Sequence, residues 1–105
     1  MIALLFIYVG DDDGARGRDI CGKLSREQGD RILSTAKTAG IVDRGRGQNL
    51  IVDDRVWPHV PHDDKVMIAL AAFCQVHDGG RGMITIEGLQ SGDSLATVND
   101  GSYFD

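Results

Sequence analysis

The stretch WPHVPHDDKVMIALAAFCQVHDGG, residues 57–80, holds all three histidines (His59, His62 and His77), Cys74 and the single tryptophan, Trp57. These residue types ligate zinc and perform acid–base or thiol chemistry, so their spacing decides whether a site exists. The pattern predicts a helix over about 62–77. On it His62 and His77 stand at opposite ends, roughly 22 Å apart at 1.5 Å of rise per residue. Metal–nitrogen bonds are about 2 Å long, so one ion cannot take both. His77 in the last turn and Asp63 and Asp64 in the first are also where a helix dipole favours such charges without any chemistry. What remains is a compact candidate: His59, His62, Asp63 and Asp64 as a metal site or an acid–base pair. The two histidines straddle Pro61 and lack the H-E-x-x-H register that aims ligands at one ion.

Other chemistry is thinner. Cys74 lies mid-helix among apolar residues, where burial makes a thiol inert. Cys21, near Arg18 and Lys23, looks more reactive, but nothing places a base beside it. With no C-x-x-C pattern the expectation is two buried thiols, a single disulfide being the alternative in an exported protein. The acidic run DDDG (11–14) departs from a calcium loop: its glycine is fourth instead of sixth, and the twelfth residue is Gly22 instead of Glu. No phosphate-binding glycine loop and no G-x-S-x-G elbow is present. Arg16, Arg18, Arg44, Arg46 and Arg81 sit in Arg-Gly segments and would form a weak nucleic-acid surface only if the fold gathered them. No aromatic residues interleave them to stack on bases.

The elements that must position these residues are legible in part. Ser25 and Gln28 have capping-box spacing, which predicts a helix over about 26–39 ending at Gly40. Its apolar face is thin: Ile32, Leu33 and Ala36. The second helix, about 62–77, is apolar on most sides and is expected to be the central core element. Its core residues are Val66, Met67, Leu70, Phe73 and Cys74, with Trp57 as a lid over its start. MITIE and SLATV read as a C-terminal hairpin over 83–98, and LIVD (50–53) as a short strand. DRGRGQN (43–49) reads as a loop, 10–19 as a loop and 99–105 as a loose tail or a short edge. Residues 1–9, MIALLFIYV, read as an apolar strand or a truncated anchor. They are too few to span a bilayer and lack the basic flank of a signal peptide.

The totals bound the rest. A chain of 105 residues fits one domain. The expected fold is α+β or small α/β, with a three- or four-stranded sheet and two helices. A net charge of −5 opposes general affinity for nucleic acid and for anionic membranes. No cofactor is expected. The expected role is that of a small, bacterial-type accessory protein: non-catalytic, binding another protein or itself, with a homodimer paired through the apolar N-terminal strand. A cytoplasmic location is expected, or an envelope or exported one if residues 1–9 are the end of an anchor.

Overall fold

The computed structural model describes residues 21, 24–77 and 81–105. The first helix, α1 (Arg26–Thr38), begins as the capping box requires. The Ser25 hydroxyl accepts from the Gln28 amide at 3.1 Å, and the Gln28 side chain accepts from the Ser25 amide at 3.0 Å. It ends in a Schellman turn: Gly40 takes a positive φ of 81°, its amide bonds to Lys37 O, and the Ile41 amide bonds to Ala36 O. Gly29, Ile32 and Ala36 form the buried stripe. Gly29 lies against the second helix, where even an added Cβ would meet Ala71 O at 3.8 Å. That small residue, facing a row of alanines, sets a close helix–helix approach.

The second helix, α2 (His62–Val76), is buried without interruption from Met67 to Phe73. It runs between α1 on one side and the sheet on the other. Trp57 starts a 3-10 turn (Trp57–His59) just before it, is 3% exposed, and carries the Lys65 ammonium 5.8 Å above its ring. Val66 and Cys74 are only partly buried and pack against the edge of this core.

The strands are β1 (Val42–Arg46), β2 (Asn49–Val52), β3 (Met83–Gly88), β4 (Ser94–Asn99) and β5 (Ser102–Phe104). They form one five-stranded sheet in chain order. All neighbours are antiparallel except β2 and β3, which are parallel and joined through α2, since parallel neighbours need a crossover of helical length. Strand alternation puts Leu50, Val52, Ile84, Ile86, Ala96 and Val98 under the helices. Thr85 and Thr97 pair across the opposite face. The chain is therefore a single α+β domain.

The sheet has five strands where the sequence supports three or four. β1 replaces an expected loop: Gly47, with φ 61°, opens a two-residue turn into β2. At the C-terminus, where a loose tail or a short edge was expected, β5 is the short edge. Asp100 and Gly101 both have positive φ (51° and 88°), the signature of a tight Asp-Gly hairpin turn.

The cysteines are the second correction. Instead of two thiols, Cys21 and Cys74 form a disulfide. It ties the residues before α1 to the C-terminal half of α2, across a sequence separation of 53. The apolar run 1–9, the acidic run 11–14 and the 10–19 loop lie outside the described residues, and so does any pairing through residues 1–9. Among the described residues no helix is long and apolar enough to cross a membrane.

Candidate functional site

Where α1, the β1–β2 hairpin and the C-terminal end of α2 diverge, they leave a groove of about 510 Å3. Its apolar floor comes from Leu33 of α1, Val42 and Leu50 of the hairpin, Ala72 of α2 and Ile84 of β3. Asp30, Ser34 and Lys37 line the α1 wall at helical spacing, and Gln75 and Val76 close the end. Gly45 keeps the groove open. It pairs with the core residue Leu50, so its position faces the helices, yet a Cβ built there meets no atom within 4 Å. Any other residue at 45 would put a side chain into this space.

The polar rim carries both signs of charge, Lys37 and Arg44 against Asp30. The Asp30 carboxylate is engaged by the Gln75 side-chain amide. Lys37 has no ion-pair partner among the described residues. Arg44 donates one bond to Asp43 at 2.7 Å and remains about half exposed, which leaves most of its five donors open.

The histidine–aspartate candidates are not brought together. His59 is exposed in the 3-10 turn, and Asp63 is exposed in the first turn of α2. His62 turns toward the C-terminus: its ring meets Tyr103 edge-on at 5.7 Å, and its Nδ1 lies 4.0 Å from an Asp105 carboxylate oxygen. The Tyr103 hydroxyl donates to Asp105 at 3.3 Å. Burial first, then the Asp105 charge and that bond, push the Tyr103 hydroxyl above its ordinary range. Asp64 points inward and is 9% exposed. Burial, then the neighbouring Asp63, raises its carboxyl above the usual value. Pro61 at the cap has no N–H, so Asp64 lacks the reciprocal bond that Gln28 makes in α1. Among the described residues no three His, Cys, Asp or Glu side chains gather as a metal site. His77 ends α2 as expected but serves packing. Its ring lies 5.4 Å from that of Phe73, with Nε2 3.1 Å from Met83 O.

Of the five arginines, Arg16 and Arg18 lie outside the described residues. Arg44 and Arg46 belong to β1, and Arg81 precedes β3 at the same end of the sheet as the β1–β2 turn. No aromatic residue occurs in β1, β2 or β3, so these cations flank no stacking platform for bases.

One polar lock was not visible in the sequence. The Asp54 carboxylate accepts from the Gln90 amide at 3.1 Å and the Ser91 amide at 2.8 Å, pinning the β3–β4 turn to the end of β2. Gly88 is required beside it, because a Cβ there would fall 2.6 Å from Asp54 Oδ2. Partial burial pushes this carboxyl up, but the bonds from Ser91 and Gln90 outweigh it and hold its pKa below the ordinary value. A depressed carboxylate contributes stability above its unfolded pKa, roughly pH 4, and loses it as pH falls through the folded value. The protection of the Gln90 and Ser91 amides, their exchange measured relative to the intrinsic rate at each pH, is expected to be high above that range and to fall below it. In Asp54→Ala both amides should lose that protection at every pH; retained protection in that variant would contradict the lock.

The fold and groove together define a disulfide-linked α+β domain with a small preformed cleft. No protein-family model, curated protein or solved structure matches this chain.

Proposed function

We propose that this chain is a non-catalytic domain that binds another protein through the groove between α1 and the β1–β2 hairpin, in an oxidising compartment. The observation that carries the binding role is the groove itself: three elements leave it open, and a glycine with room for a side chain lines it. Pre-formed concave sites with an apolar floor and a few polar groups are where ligands are captured. The disulfide supports this compartment, since such bonds persist in envelope and secreted proteins and are rare in the cytosol. That favours an envelope or exported location over the cytoplasmic one expected from the sequence.

The test uses the oxidised, folded domain immobilised against a random-sequence peptide library displayed on phage. A family of related peptides is expected to enrich. Gly45→Val fills the groove, and Gly45 has no positive φ to forbid it, so this variant should keep its melting temperature while losing affinity for the selected peptides at least about tenfold. Failure to enrich any family, or equal binding by Gly45→Val, would remove the proposal.

A further inference from the structure

We infer that the Cys21–Cys74 disulfide is a redox switch for this groove: oxidation seats α1 as one of its walls, and reduction by a dithiol releases that wall. The inference rests on the binding role proposed above and adds its regulation. α1 supplies one side of the groove through Asp30, Leu33, Ser34 and Lys37, so what holds α1 in place also holds the binding surface. Of the residues that α1 buries, Gly29, Ile32 and Ala36, only Ile32 is large. α2, by contrast, is buried without interruption from Met67 to Phe73. A helix of 13 residues is marginal in water and takes most of its stability from docking. The disulfide joins the chain just ahead of α1 to α2, across a sequence separation of 53. It thereby turns an encounter between distant segments into one between tethered neighbours.

The bond and the groove meet at one residue. Gln75 follows Cys74 on α2, lines the crevice beside the disulfide and also closes the end of the groove. Its side-chain amide donates to Asp30 of α1. Gly29 and Ala71, where the two helices approach each other, line the same crevice. Movement of α1 at this junction carries Asp30 and Leu33 away from Ala72 and Leu50, and the groove loses a side.

The bond is also open to exchange. Cys21 and Cys74 are both only partly buried, and the crevice beside them, about 50 Å3, is lined by the polar residues Ser25 and Arg26. A thiolate of the dithiol attacks one sulfur, the S–S bond breaks, and the other cysteine leaves as a thiolate that takes up a proton. The second thiolate of the reductant then displaces the first cysteine from the mixed disulfide. The protein gains two thiols and the dithiol becomes a disulfide. A disulfide oxidant of an oxidising compartment runs the same steps in reverse, so the domain becomes competent to bind on reaching that compartment.

The test compares the full chain oxidised, reduced with dithiothreitol, and re-oxidised with glutathione disulfide. On reduction, amide protection is expected to fall at least about tenfold more in Arg26–Thr38 than in β3 and β4, the pattern of a unit that opens locally. A peptide selected on the oxidised domain should bind the reduced chain at least about tenfold more weakly, because apparent affinity scales with the fraction of molecules in which α1 is docked. Re-oxidation should restore both readings. The double variant Cys21→Ala with Cys74→Ala should behave as the reduced chain does and ignore the reductant. Equal loss of protection in α1 and in the β3–β4 hairpin would make the bond a requirement of the whole fold and overturn the switch. Unchanged protection of α1 on reduction, or a peptide held as tightly by the reduced chain, would overturn it too and leave the groove's binding role standing. Absence of any selected peptide would remove the binding role and the control of binding together.

Discussion

Replacing both cysteines, as Cys21→Ala with Cys74→Ala, is expected to lower the unfolding free energy by about 4 kcal/mol. That magnitude is the loop-closure entropy released when a cross-link spanning 53 residues is removed. The loss is large against the 5–15 kcal/mol typical of a small domain, so the reduced protein should be only marginally folded. The structural reason is local. Cys21 and Leu24 pack against α2 just ahead of the capping box, and the bond fixes that packing covalently. Reduction of the unmodified protein should reproduce the loss seen in the double variant. Urea unfolding, monitored by circular dichroism with and without reductant, measures both. A difference below about 1 kcal/mol would contradict the assigned role of the bond, and with it the argument for an oxidising compartment.

Phe73→Ala is expected to cost about 3–5 kcal/mol, the range for truncating a buried phenylalanine to alanine. Phe73 is 0% exposed and among the largest fully buried side chains. It sits in α2, where the helix is enclosed by α1 and the sheet, and its ring also supports His77 at the end of the helix. Phe73→Leu should cost much less, because it retains most of the volume. The measurement is urea unfolding with the disulfide intact. A loss under about 1 kcal/mol for Phe73→Ala would mean that α2 is not the core element. Cys74 is the next residue, so this variant and the cysteine variant should not add, as neighbouring sites couple.

Elements specified by local chemistry were legible in the sequence. Ser25, Gln28 and Gly40 mark both ends of α1 through bonds made within a few residues. The enclosed helix α2 announces itself by being apolar all round, and the β3–β4 hairpin by alternation. The separation of His62 and His77 also follows from helix geometry alone, and the continuous helix His62–Val76 carries it. β1 was hidden because an edge strand need not be apolar: Val42–Arg46 reads VDRGR and is mostly exposed. β5 was legible only as one of two alternatives, a loose tail or a short edge. The Asp100-Gly101 pair between TVN and SYF is a hairpin turn, outweighed by its nearness to the end of the chain. The disulfide depends on the fold bringing residues 21 and 74 together, which spacing cannot state. The groove is harder still, because it is defined by what Gly45 lacks and by walls from three separate elements.

The most direct test of the groove as the binding surface is a two-dimensional amide NMR titration of the labelled domain with a display-selected peptide. Shifts are expected at Leu33–Lys37, Val42–Leu50 and Gln75–Val76, the three walls of the groove, while His59–Asp64 and the Thr85–Thr97 face of the sheet stay in place. Saturable shifts centred on His59–Asp64 or on that open face, with Gly45 and Leu50 unmoved, would contradict it.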